Sequence, residues 1–90
     1  MGPTRARRRI RELARAGRWE ITSHALESLV ERDASVEDVF RVLMSAKTCH
    51  SAPTGRWRLG GEDCLGDPLT LIVQLHAYVV VVTLFRGDEP

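Results

Sequence analysis

Two runs rich in Val, Leu and Ile, residues 69–75 and 78–85, lie so close together that only His76 and Ala77 separate them. Residues of this kind favour the pleated backbone. A two-residue connection leaves room for an antiparallel hairpin and for little else. His-Ala lacks the Asn-Gly chemistry of a tight primed turn, so the hairpin is set by spacing and its ends stay open. Val79–Val82 is apolar on both faces, which predicts a strand covered on two sides, by helices or by a partner chain. Gly66-Asp67-Pro68 marks the turn into the first run, and Gly61–Gly66 reads as a turn between strands. Upstream, the turn cluster Ser51–Gly55 precedes Arg56-Trp57-Arg58-Leu59, whose basic/apolar alternation predicts a further strand. The C-terminal half is thus expected to be a three-stranded antiparallel meander.

The N-terminal half reads as helical. Residues 4–16 carry the narrow apolar stripe Ile10, Leu13 and Ala14, with Thr4 as the expected N-cap and Gly17 as the stop. With so few apolar turns, this helix is expected to be weakly anchored by burial and held by something acidic. Residues 18–22 alternate as a short strand with Trp19 and Ile21 on one face. Thr22 or Ser23 caps a second helix over 24–32, with Ala25, Leu26, Leu29 and Val30 inward. Ser35 with Asp38 approximates a capping box and opens a third helix to about residue 46. The order predicts an α+β fold: N-terminal helix, short strand, two helices, then the meander, with the helices on one face of a twisted sheet.

At 90 residues the chain supports one domain, here residues 1–90, with an Arg-rich helix over 1–17 and a core over 18–86. A hydrophobic content of 43% excludes wholesale disorder. The longest apolar run, 77–85, is far shorter than the roughly 20 residues of a spanning helix, so no membrane partner is expected. The Arg-rich opening reads as a helix and not as a secretory leader. Two cysteines are too few for a disulfide framework, which points to a reducing cytoplasm. The net charge of +1 hides an asymmetry, because residues 1–18 hold seven arginines against the single acid Glu12. A basic arm on an acidic body suits a polyanion or an acidic protein, and it equally suits a solvated helix face. The acidic body argues against simple coating of nucleic acid.

Few residues can carry chemistry. His24 and Glu27, three apart at a helix start, project from neighbouring spots on one face. The helix dipole there favours a neutral imidazole able to accept a proton, and a carboxylate can orient it. On spacing alone, the same histidine fits better a residue that only completes the helix start and bonds a backbone group. Arg56 and Arg58 share a strand face. They form either a phosphate-binding floor, to which Gln74 and Thr83 of the hairpin add if register permits, or the protective charge of an exposed edge strand. His24, Cys49, His50, Cys64 and His76 show no metal-ligand spacing, and there is no phosphate loop or dinucleotide fingerprint, so neither metal nor cofactor is expected.

Thr22-x-His24-Ala25-x-Glu27, then Glu31-Arg32, then Ser35-x-Glu37-Asp38-Val39, resembles the opening of a widespread prokaryotic family of domains of unknown function. Gly61-x-Asp63-x-x-Gly66 and Val81-Val82-Thr83 extend the likeness, which covers about residues 18–86. Ser28 stands where that pattern usually carries Arg, and Asp33 where it usually carries Gly. The family is similar to the RelE/ParE superfamily of toxins, and the layout also resembles the MqsR-like toxins. The resemblance implies the toxin of a bacterial type II toxin–antitoxin system, acting as a metal-independent mRNA endoribonuclease. It implies RNA as substrate and a zinc-finger or helix-turn-helix antitoxin as partner. On that reading His24 transfers protons, Glu27 orients it, and Arg58, Arg56, Arg32 and Arg86 hold phosphate together with Gln74 and Thr83. The competing reading is a non-catalytic binding module of the same fold, binding gyrase or another partner or forming a homodimer.

Overall fold

The computed structural model describes residues 1–86. Three helices, α1 (Pro3–Arg15), α2 (Ser23–Glu31) and α3 (Val36–Ser45), accompany five strands. The strands are β1 (Trp19–Ile21), β2 (Thr48–Ala52), β3 (Arg56–Glu62), β4 (Pro68–Leu75) and β5 (Val79–Arg86). They form one sheet in the order β1-β5-β4-β3-β2. The expected meander β3-β4-β5 is present and antiparallel. It is extended on both sides, by β1 running parallel to β5 and by β2 running antiparallel to β3. The three-stranded expectation is therefore corrected to a mixed sheet of five strands. β2 escaped the alternation test because its residues, Thr-Cys-His-Ser-Ala, contribute little to the core and are largely exposed. Ser51 and Ala52 belong to this strand, and the turn shrinks to Pro53–Gly55.

The caps fix the helix ends. Thr22 Oγ1 accepts the Ala25 N–H at 3.1 Å, and Ser35 with Asp38 forms a complete capping box. The first helix begins earlier than expected, with Gly2 at the N-cap and Pro3 in the first turn, so Thr4 is an ordinary helical residue. Gly17, at φ 76°, ends that helix as its position suggested. Asp33 also adopts a left-handed backbone, φ 51°, in the turn closing α2, where the Ala34 N–H reaches the Leu29 carbonyl. A side chain there is strained relative to glycine.

α1 is held apolarly and not by acids. Ala6, Ile10, Leu13 and Ala14 are all buried, and they share one core with Val39, Val42 and Leu43 of α3 and Leu59, Leu71 and Val73 of the sheet. Its arginines stay at the surface. Arg7 is used locally, donating through Nη1 to the Ala46 and Lys47 carbonyls beyond the end of α3. No described helix is long and apolar enough to cross a membrane.

The helices α1 and α3 pack on one face of the sheet, where Leu59, Leu71, Val73 and Val81 lie. The other face has no helix laid across it among the described residues. Val79 and Val81 are buried while Val80 and Val82 are half-buried, so β5 is covered fully on one side only. α2 runs along the edge of β5 beyond the end of short β1, and so borders the open face.

One irregularity decides what that face displays. Ile72 pairs with Thr83 but Val73 pairs with Val81, leaving Val82 as the extra residue of a β-bulge. A bulge shifts the parity of every residue beyond it. Leu84 and Arg86 consequently point to the helix-bearing side, and Thr83 and Phe85 to the open side.

Candidate functional site

Across the open face, cross-strand pairing builds the row His50–Arg58–Ile72–Thr83, one residue from each of four strands. The row leads to α2, and where they meet lies a cleft of about 380 Å³. His24, Ser28 and Glu31 of α2, with Arg32 at its C-cap, form one wall, and Arg58, Ile72, Thr83 and Phe85 form the floor. The wall residues fall at i, i+4, i+7 and i+8, a single helical stripe.

Thr22 positions this stripe. Besides capping α2, its hydroxyl donates to the Val82 carbonyl at 3.1 Å, and its N–H donates to the Val81 carbonyl at 3.1 Å. The bulge residue's carbonyl is thus satisfied by the residue that starts the helix. His24 sits two positions further on, at the mouth of the cleft, and its side chain makes no hydrogen bond or ion pair with any described residue. The reading in which it merely bonds a backbone group is thereby set aside. Ser28 Oγ donates to the His24 carbonyl at 3.1 Å and is nearly sealed from solvent.

Arg58 is the cation of the floor. β3 lies between β2 and β4, so Arg56 and Arg58 do not protect a sheet edge. The Arg58 guanidinium carbon stands 5.0 Å from the Phe85 ring centre. Stacking on an aromatic face holds a guanidinium in place while leaving its N–H fork free to meet an anion. Arg56, paired with Ala52 of β2, and Gln74, paired with Val80 of β5, are both outside the residues lining the cleft, and Arg56 Nε is buried without a hydrogen-bond partner. Trp57 points to the other side and packs against the core.

Several expectations separate here. His24, Arg32, Arg58 and Thr83 meet in one cleft. Glu27 does not; it is exposed and outside the cleft lining, and the carboxylate that lines the cleft is Glu31. The pairing by i+3 spacing missed this, and the i+7 stripe from His24 would have found it. Arg86 is also elsewhere. It is ion-paired with Asp63, and it donates to the carbonyls of Arg32 at 3.0 Å and Asp33 at 2.8 Å. Its guanidinium ties the end of α2 to the β3–β4 turn and is not offered to a ligand. Asp63 in turn accepts the Leu65 and Asp67 N–H groups, each at 2.9 Å. Burial by itself would raise its carboxyl, but Arg86 and these N–H groups outweigh burial and hold it below its ordinary range.

Comparison with family models, with curated proteins and with solved structures yields no match to this chain.

Proposed function

We propose that this chain is a metal-independent endoribonuclease of the RelE/MqsR-like type, acting as the toxin of a type II toxin–antitoxin system with a cognate antitoxin as its partner. The observation that carries the reading is the shared cleft: an unengaged imidazole on α2 faces a stacked, outward-facing guanidinium on β3. Cleavage of RNA by its own 2′-hydroxyl needs a group to take that proton, a donor for the departing 5′-oxygen, and cations for the charge that builds on phosphorus. His24 is the proton-transfer group, and Glu31 is the carboxylate within the cleft able to share proton movement with it. Arg58 receives the phosphate, with Arg32 at the wall and the Thr83 hydroxyl beside it. The 2′-oxygen forms a bond to phosphorus as the bond to the 5′-oxygen breaks, giving a cyclic phosphate and a free 5′-hydroxyl.

The test uses purified protein and a structured RNA in EDTA. Cleavage that disappears in His24→Ala and in Arg58→Ala, with both variants folded, supports the assignment, and loss of growth arrest on expression should follow the same pattern. Intact RNA with the wild-type protein overturns it and leaves the non-catalytic binding module as the better description.

A further inference from the structure

The row next to the one that floors the cleft is Thr48–Gly60–Thr70–Phe85, again one residue per strand. This row lies along a second depression on the open face, about 310 Å³ in volume. Lys47, Thr48, Gly60, Glu62 and Thr70 line it. Glycine inside a strand often marks a place where a ligand approaches the backbone. Without a Cβ at Gly60 the Thr48 hydroxyl lies close over the strand backbone, and any side chain at position 60 would displace it. Gly60 follows Arg58 by two residues on the same strand face, about 6.6 Å away. The two hollows share Phe85's row and the same sheet surface, and their spacing is comparable to one nucleotide step along an extended single strand.

At the rim, Lys47 Nζ lies 3.2 Å from Glu62 Oε1, and both side chains are substantially exposed. Such a surface pair contributes at most about 1 kcal/mol, so a ligand opens it at little cost. Opened, it presents a cationic donor beside a two-oxygen acceptor. Among the four RNA bases only guanine offers the complement on its Watson–Crick edge, the O6 acceptor followed by two adjacent donors, N1–H and N2–H. Uracil has one donor between two acceptors. Cytosine and adenine put a single amino donor beside acceptors that a carboxylate repels.

Resting on the endoribonuclease reading, we infer that the Gly60 depression is a base subsite selecting guanine in the nucleotide adjoining the scissile phosphate, with Glu62 and Lys47 as its specificity-determining residues. A single well-placed bidentate contact discriminates bases by about tenfold or more.

The experiment uses oligonucleotides that carry one ribonucleotide, at the cleavage position, in an otherwise deoxy chain, with guanine or uracil placed in turn at each flanking nucleotide. Wild-type protein is expected to cleave the guanine form about tenfold faster at one of the two positions. Glu62→Gln should reduce that ratio to below about twofold, since an amide offers one acceptor where two are needed. Gly60→Val, which fills the hollow, should do the same, and equal melting temperatures show that each variant is folded. A wild-type ratio near one at both positions, or a guanine preference that survives Glu62→Gln, overturns the subsite while leaving the nuclease reading intact. Absence of cleavage on every substrate overturns the nuclease reading and the subsite with it.

Discussion

Arg58 reaches across from β3 and lays its guanidinium 5.0 Å from the centre of the Phe85 ring on β5. The contact exists because the bulge at Val82 turns Phe85 to the open face. It predicts that geometry matters here as well as charge. Arg58→Lys keeps the cation but loses the planar fork and the stacking. Its cleavage rate on labelled RNA should fall by about tenfold or more, and that of Arg58→Ala by about a hundredfold or more. A lysine variant as active as wild type would reduce the role of Arg58 to a diffuse positive field.

Thr22 joins the helix start to the bulge through one hydroxyl that both accepts and donates. Thr22→Val keeps the shape and removes both bonds. It should cost about 1–2 kcal/mol in urea unfolding. Because His24 is placed by this joint, cleavage should also fall at temperatures where the variant is fully folded. Thr22→Ser, which keeps the hydroxyl, should recover most of the rate.

The buried Asp63 carboxylate, with 2% of its surface exposed, depends on Arg86. Arg86→Met strips that partner and also releases the Arg32 and Asp33 carbonyls. A loss of roughly 3 kcal/mol follows, lowering Tm by about 10 °C or more. Arg58 and its contact with Phe85 take no part in this network. Where Arg86→Met is still folded, its cleavage rate should therefore stay near that of wild type.

Asp38 supplies a pH dependence. The Cys64 N–H is the main influence that holds its carboxyl at about 2; burial opposes this, and the Ser35 N–H assists. A depressed carboxyl means that the unfolded chain binds more protons than the folded one in this window, so stability is full above about pH 4 and declines as pH falls toward 2. Asp63 shifts in the same direction. Urea midpoints measured from pH 6 to pH 2 should drop over that interval. Asp38→Asn should flatten the drop by about 1 kcal/mol after allowance for solvent screening.

Asp33 holds φ 51° at the turn after α2, and the hydrogen bond it receives from Arg86 goes to its backbone carbonyl, as the one it donates to the Val30 carbonyl comes from its backbone N–H. Asp33→Gly keeps both bonds and relieves the strain. It should stabilise the fold by about 0.5–1 kcal/mol, read as a rise in Tm of a few degrees. A lower Tm would show that the Asp33 side chain supports the turn in some other way.

Much of the architecture could be read in advance because local pattern and core burial agreed. The capping box at Ser35, the Gly17 stop, the Trp19/Ile21 face and the hairpin of 69–75 with 78–85 all report short-range chemistry that the packed protein keeps. β2 was invisible because an exposed edge strand has no apolar period to show. The strength of α1's anchoring was underestimated because four small contacts, each fully buried, count for more than a stripe's width suggests.

The site divides along the same line. From the residues themselves came His24, the shared face of Arg56 and Arg58, and the unequal charge of the two ends. Folding alone selected Arg58 over Arg56 for the cleft, put Glu31 in place of Glu27, and assigned Arg86 to structure. The reason lies in a single inserted residue. Alternation along β5 would have set Phe85 among the core residues and Arg86 on the open face, and the bulge at Val82 exchanges them. Its position is fixed by how β4, β5 and Thr22 pair with one another, which is a property of the assembled sheet and not of any stretch of the chain.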